Sequence, residues 1–395
     1  MSKEDFFIKP MDIGDRYDVQ SLDAVSDSVF LCETELFNNL EDCPTSKICD
    51  IVLTAWDKYR NHRRIVVAVS GGADSDILVD LFCALDNENK VKFVFVFPGL
   101  EYKATLMHIK DLEQRYGIAI KTLTPEENIL WCCKVYGQPF CNKNVSEYIS
   151  RLQRYGFQWE DDSFENLWKK YPKCQSALEW WCDRKGEGSM FSIENNKLLK
   201  DFIMAYPPYF MISRMCCVKA KEKPLSDYCD AIGADLSVSG VRKSEGGARA
   251  GAYKSCFTSK EDDDDYIDKY RPLFFMTNED KKAYVQSRRI IHSECYRIYG
   301  FKRTGCCCCP FGLFFEDELE AARKYEPDLY KAASKAFQDS ITYSKMYRHF
   351  KDGKEIPQEL LDEFEQNRRT YRNRMGFPFR QQTLFELMEM ERNCT

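Results

Sequence analysis

Residues 63–85 read RRIVVAVSGGADSDILVDLFCAL, and the fold turns on how this stretch divides. Its first part, 65–69, is a continuous apolar run, the pattern of a strand buried on both faces. Its last part carries Ile77, Leu78, Leu81, Phe82 and Leu85 at helical spacing. Between them SGGADS, residues 70–75, sets two glycines and two serines at the end of a buried strand. A glycine-rich turn that opens a helix aims backbone N–H groups at an anion, at the positive end of the helix dipole. Gly71 and Gly72 let the backbone come close, Ser70 and Ser75 add hydroxyl donors, and Asp74 can cap the helix or help to hold Mg²⁺. The plainer alternative is a strand-to-helix turn with nothing bound. The loop is not a Walker A sequence, because no Gly-Lys-Ser/Thr follows, and it is not GxGxxG.

Working outward, VKFVFVF (91–97) is a second strand and ATLMHIKDLEQRYG a helix closed by Gly117. IAIKTL (118–123) is a third strand. Strand and helix in alternation predict an α/β fold with a doubly wound parallel sheet. The alternation stops at about residue 125, and a helical insertion rich in Trp, Tyr, Cys and Lys runs to about 212. It resumes with a helix in KEKPLSDYCDAIG and the strand ADLSVSG (234–240). The expected division is an N-terminal extension over 1–60, a nucleotide-binding α/β domain over 61–250, and a Cys-rich, mostly helical region over 251–395. The run EDDDD at 261–265 reads as a solvated loop.

The net charge of −6 gives no general electrostatic reason to bind nucleic acid or an anionic membrane. No apolar run approaches membrane-spanning length, and the first residues are polar and acidic, unlike a signal peptide. The expectation is therefore a cytoplasmic protein with reduced thiols. In such a chain, 19 cysteines point to metal binding or redox chemistry. Cys83 and Cys229 sit in apolar helical patterns and read as core residues.

TGCCCCPFG (304–312) holds four consecutive cysteines, whose outer pair, Cys306 and Cys309, has CxxC spacing. That spacing alone serves structural zinc, an iron–sulfur cluster and a redox dithiol alike. A closed site needs two further ligands, and the chain offers the adjacent pair Cys216–Cys217 and the single Cys256. No histidine lies within a few residues of the CxxC, so an all-thiolate site is favoured.

SGGADS resembles the PP-loop of the adenine-nucleotide α-hydrolase superfamily, in which a loop matching SGGxDS binds the ATP phosphates and the bond between the α and β phosphates is cleaved. RMCCVKAKEKPL (214–225) followed by a distant CxxC is similar to the phosphoadenosine phosphosulfate reductase family, in particular its cluster-containing branch. GLEYKAT (99–105) and GVRKSEGGARA (240–250) fit the wider group of reductase-like proteins, which includes the sulfur-transfer component of DNA phosphorothioation systems. The resemblance covers roughly residues 60–325.

It implies a site built from Ser70, Gly71, Gly72, Asp74, Ser75, Gly99, Glu101, Gly240, Arg242 and Glu245, which takes ATP or an adenylyl sulfate nucleotide with Mg²⁺. Arg242 and Arg249 have the chemistry to hold a phosphate or sulfate bidentately, with Glu245 orienting them. Asp74, Ser75, Arg242 and Arg249 are then the catalytic candidates. The resemblance also implies a [4Fe–4S] cluster on Cys216, Cys217, Cys306 and Cys309, with Cys256 as a possible replacement. Lys219 and Lys223 follow the cysteine pair and would neutralise cluster or nucleotide, or simply line an exposed helix face.

Two departures matter. Sulfonucleotide reductases usually carry a modified loop, so the complete SGGxDS favours ATP use. They also act through a C-terminal Glu-Cys-Gly motif ending in histidine, whereas this chain ends EMERNCT with only Cys394. The implied function is adenylylation of an acceptor for sulfur transfer, with a donor of cysteine desulfurase or thioredoxin type and an acceptor that includes nucleic acid among its candidates. The alternatives are reduction of an adenylyl sulfate to sulfite, or a non-catalytic nucleotide-binding module.

Overall fold

The computed structural model describes residues 43–375 apart from 187, 188, 190, 246–252 and 262–265. Among the described residues one sheet forms from β1 Ile65–Val69, β2 Val91–Val96, β3 Ile120–Leu123, β4 Leu236–Val238, β5 Phe257–Thr258 and β6 Asp268–Tyr270. Its order is β3-β2-β1-β4-β6-β5, and every pairing is parallel except that of β5 with β6. The expected α/β fold is present. Ile65 pairs with Val91 of β2 on one side and with Leu236 of β4 on the other. The order reverses at β1, and the carboxyl end of a strand at such a reversal is where parallel sheets bind ligands. SGGADS occupies that end.

The described residues divide into two compact units. The first holds residues up to 97, 101–124 and 223–305; the second holds 98–100, 125–222 and 306 onward. No helix of the described residues is long and apolar enough to cross a membrane.

In the first unit, α1 (Ser46–Asn61) is capped by Thr45, whose side chain accepts from the Ile48 N–H. Ile48, Val52, Ala55 and Tyr59 recur every three to four residues, and that stripe joins the sheet's core. Part of the stretch expected to be an unassigned extension is thus a core helix. Cys43 and Cys49 are paired at its start.

The next helix, α2 (Ala73–Leu85), is buried along its whole length except at Asp74. Two carboxylates therefore lie inside the core, and each is fully engaged. Asp76 accepts from His108 Nε2 at 2.8 Å and from His292 Nδ1 at 2.7 Å. Asp80 accepts from the hydroxyls of Tyr116 and Tyr284 at 3.1 and 2.8 Å and from Arg288 Nε at 2.9 Å. His108 and Tyr116 come from α3 (Lys103–Tyr116), the helix closed by Gly117 in the left-handed conformation.

The second unit is helical with an aromatic core in which Phe140, Trp180, Trp181, Phe202, Tyr343 and Phe364 pack together. Residues of the insertion and of the chain beyond 306 share that core. The Tyr343 hydroxyl donates to the Tyr206 carbonyl at 2.8 Å, and Asp339 accepts from Tyr209 and Gln138 at 2.7 and 2.8 Å. Segments 137–138 and 211–213 run side by side, joined by Gln138 N to Met211 O at 2.8 Å and Ser213 N to Gln138 O at 2.9 Å.

Gly137 makes that approach possible. Its φ is +107°, and a Cβ placed there would lie 2.4 Å from the Met211 carbonyl oxygen. Gly137→Ala combines a glycine-only backbone conformation with a backbone clash and is expected to destabilise the second unit by about 3 kcal/mol. Urea unfolding followed by tryptophan fluorescence, to which five of the six tryptophans contribute from this unit, reads it.

Candidate nucleotide site and thiol cluster

The loop after β1 is shaped by its own small residues. Gly71 has φ +68°, and a Cβ there would stand 2.6 Å from Thr105 Cγ2. Ser75 is buried, and its hydroxyl donates to the Gly72 carbonyl at 2.8 Å. Ser70 Oγ accepts from the Gly72 N–H at 3.3 Å and lies 3.4 Å from Ser75 Oγ. Gly72 is the N-cap of α2 and makes no side-chain cap hydrogen bond, so the positive end of a buried helix opens at the loop. The Ala73 N–H donates to the Tyr296 hydroxyl at 3.0 Å, and that hydroxyl lies 3.3 Å from Thr304 Oγ1.

Asp74 neither caps the helix nor stands alone. Its Oδ1 accepts from Arg242 Nε at 2.9 Å and from Lys281 Nζ at 2.7 Å. Arg242, a buried guanidinium, is further fixed through Nη1 by Ser244 Oγ at 2.8 Å and Asn278 Oδ1 at 3.1 Å. Gly240 passes so close that a Cβ on it would meet the Asp74 backbone at 3.3 Å. Glu245 faces Arg303, with 3.5 Å between carboxylate and guanidinium, and Glu101 is buried. Ser70, Gly71, Gly72, Asp74, Ser75, Glu101, Gly240, Arg242 and Glu245 all belong to the first unit, whereas Gly99 belongs to the second. Arg249, the acidic run 262–265 and Cys394 lie outside the described residues.

Below the loop, Asp76 holds two imidazoles. Burial pushes its carboxyl up, but the hydrogen bonds from His108 and His292 outweigh that and hold it below the ordinary 3.8. Nothing in the local sequence marked this arrangement, since His108 and His292 lie 32 and 216 residues away. The same holds for Lys281, 207 residues from Asp74.

The thiols gather in the second unit. Met215–Cys217 is a short helical turn followed by a π-helical stretch, Val218–Glu222. Such π turns are rare and frequent at functional sites. Cys216 is buried, and the neighbouring Cys133 thiol is the largest influence pushing its own thiol well up, with Cys217 acting the other way. Cys217 is pushed up first by its hydrogen bond with Cys216 and drawn down by Lys143 and Lys221.

Cys309 is driven up by burial and lies within electrostatic reach of Cys306, Cys217 and Lys221. The CxxC turn is closed by Cys309 N to Cys306 O at 3.3 Å and Gly312 N to Cys309 O at 2.8 Å. Cys308 adopts φ +57° within it. Cys216, Cys217, Cys306 and Cys309 are thus in one neighbourhood, joined by Cys133, which the sequence reading passed over. The adjacent pair Cys132–Cys133 in WCCKVYG was its available signal.

Cys256 is placed in the first unit, partly buried against the sheet's core, with its carbonyl accepting from the Arg271 N–H at 2.7 Å. Lys219 pairs with Glu127 at 3.1 Å, and Lys223 pairs with Asp227 one turn along an exposed helix. The donor chemistry fits a soft metal or an iron–sulfur cluster: buried sulfur ligands with ammonium groups near them. Among the described residues no group of three or more His, Cys, Asp or Glu is arranged to hold a metal ion.

Residues 64–176 and 191–311 match the family model described as phosphoadenosine phosphosulfate reductase domain. A stretch of 90 residues is 42% identical to an uncharacterized protein of Methanocaldococcus jannaschii, covering 22% of this chain and 18% of that relative. The chain thus matches under a fifth of that relative's length.

Three solved structures align with parts of the chain. Phosphoadenylyl-sulfate reductase from Candida auris, in a phosphate complex, is 14% identical with a TM-score of 0.35, over 65% of this chain and 87% of its own. NH3-dependent NAD synthetase from Campylobacter jejuni is 12% identical with a TM-score of 0.30, over 75% and 94%. The U34-tRNA thiolase NcsA from Methanococcus maripaludis, with its [4Fe-4S] cluster, is 11% identical with a TM-score of 0.29, over 85% and 92%.

Proposed function

The chain belongs to the phosphoadenosine phosphosulfate reductase domain family, and on that premise we propose that it is a PP-loop ATP pyrophosphatase that adenylylates an acceptor for iron–sulfur-assisted sulfur transfer. One observation carries the reading. The loop is a complete SGGADS, set at the carboxyl end of β1 where the strand order reverses, and it opens the buried helix α2. A protein that only holds an adenylyl sulfate has no need of the complete loop.

In this reaction an acceptor oxygen attacks the α-phosphorus of ATP. The bond from that phosphorus to the α–β bridging oxygen breaks, and pyrophosphate leaves with the electron pair. Negative charge builds on the leaving group, so the chain's task is to meet it with donors already in place. The N-terminus of α2 and the Arg242 guanidinium do this, while Ser75 keeps the loop in shape through its bond to Gly72. A sulfur nucleophile from a donor protein then displaces AMP from the acceptor. An iron–sulfur cluster held by three of Cys216, Cys217, Cys306 and Cys309 would keep one iron open to bind sulfur, whereas ligation by all four would leave it a structural or electrostatic role. Asp74 fits a magnesium ion only through Oδ2, since Oδ1 is shared by two cations.

Ser75→Ala is expected to lower pyrophosphate release from ATP about ten-fold, the scale of losing the hydrogen bond that ties the loop to the Gly72 carbonyl. Quantifying AMP and pyrophosphate with the anaerobically purified full chain tests it. Equal release by the variant would remove the loop from the reaction. A second reading rests on the four gathered thiols and the family match: reduction of an adenylyl sulfate to sulfite. Sulfite release with a thiol donor would establish it.

A further inference from the structure

We propose that Lys281, acting beside Arg242, is an oxyanion-binding residue of the SGGADS site, and that Asp74 is the positioning residue that holds both cations there. The ligand class is a polyphosphate, and the inference rests on the nucleotide-binding reading of the loop. Both cations converge on one oxygen of Asp74, at 2.9 and 2.7 Å. One carboxylate against two cations leaves the cluster with an excess positive charge beside a helix N-terminus, where an anion is favoured.

The support beneath Lys281 is stiff. It lies in the first turns of the helix Asn278–Ser287, which Thr277 and Asp280 lock with a reciprocal capping box. Asp280 is itself tied to Thr45 at 2.7 Å. Arg242 spends Nε on Asp74 and Nη1 on Ser244 and Asn278, so among the described residues its Nη2 makes no hydrogen bond. Nζ of Lys281 bonds only Asp74 among them, leaving two N–H groups for a ligand. The Lys281 side chain is 21% exposed, which leaves it reachable from solvent. The loop lacks the lysine of a Walker A sequence; here a lysine 207 residues away supplies a cation.

Calorimetric titration of inorganic pyrophosphate, and separately of ATP, into the full chain tests this. Lys281→Gln is expected to weaken both about ten- to hundred-fold, the scale of one charge-assisted hydrogen bond, and Lys281→Arg to recover most of the loss. Unchanged binding by Lys281→Gln overturns the inference while leaving the loop reading standing. A wild-type chain that binds neither ligand overturns the loop reading and the inference together. Acetylation of wild-type Lys281, read by peptide mass spectrometry, needs no variant: saturating pyrophosphate should slow it several-fold. Unaltered labelling in the pyrophosphate-bound protein would also overturn the proposal.

Discussion

Asp76→Asn is expected to destabilise the first unit by about 3–5 kcal/mol, the usual cost of breaking a buried charged pair from one side. The residue is 0% exposed, and both its oxygens are taken, one by each imidazole. A carboxylate only accepts, so His108 Nε2 and His292 Nδ1 are each donors to it. Asparagine would present an N–H₂ to one of these rings, setting donor against donor in the core. Two residues away stands Asp74, so the same change is expected to loosen the loop.

The pH dependence follows from the sign of the shift. Asp76 is depressed in the folded chain, so its contribution is complete above the ordinary 3.8 and is lost as pH falls through the lower folded value. Thermal melts of wild type between neutral pH and pH 3 should therefore steepen their decline below about 4, and the variant should lack that component. A variant as stable as wild type at neutral pH would mean the His–Asp–His contact contributes nothing net.

On the proposed cluster reading, Cys309→Ser is expected to remove the visible absorption and the bound iron that the anaerobically purified wild type would carry. Cys309 lies within electrostatic reach of Cys306 and Cys217. Serine keeps the turn's backbone bonds, from Cys309 N to Cys306 O and from Gly312 N to Cys309 O, so a loss would report the sulfur and not the fold. Cys256→Ser, placed in the first unit, should retain iron and colour. Iron analysis beside the spectrum decides it, and a brown Cys309→Ser protein would move the ligand set elsewhere.

The parts of the fold legible in the sequence were those encoded locally. The apolar run of β1, the loop and the spacing of Ile77, Leu78, Leu81, Phe82 and Leu85 suffice to place a parallel sheet and the glycine turn that opens α2. What stayed hidden depends on long-range partners. Asp76 and Asp80 carry no local signal, because their histidine, tyrosine and arginine partners arrive from α3 and from residues 284–292. Lys281 looks like any lysine on a charged helix until the fold sets it on Asp74.

Likewise the core shared by the insertion and the chain beyond residue 306 could not be read from aromatic content alone, because each half of it looks like a complete helical pattern. In the thiol group CxxC and CC were conspicuous, while Cys133 joins through a tertiary contact with Cys216. Strands of two or three residues, such as β5 and β6, carry too few positions for a periodic signal.

The central claim is that this loop works on ATP. One anaerobic preparation of the full chain, divided between ATP with magnesium and adenylyl sulfate with a thiol donor, tests it most directly, each half assayed for AMP, pyrophosphate and sulfite in the presence of candidate acceptors. The account predicts equal amounts of AMP and pyrophosphate from ATP, dependent on Ser75, and no sulfite from adenylyl sulfate. Sulfite from adenylyl sulfate, with no pyrophosphate from ATP, would contradict it and make the chain a sulfonucleotide reductase.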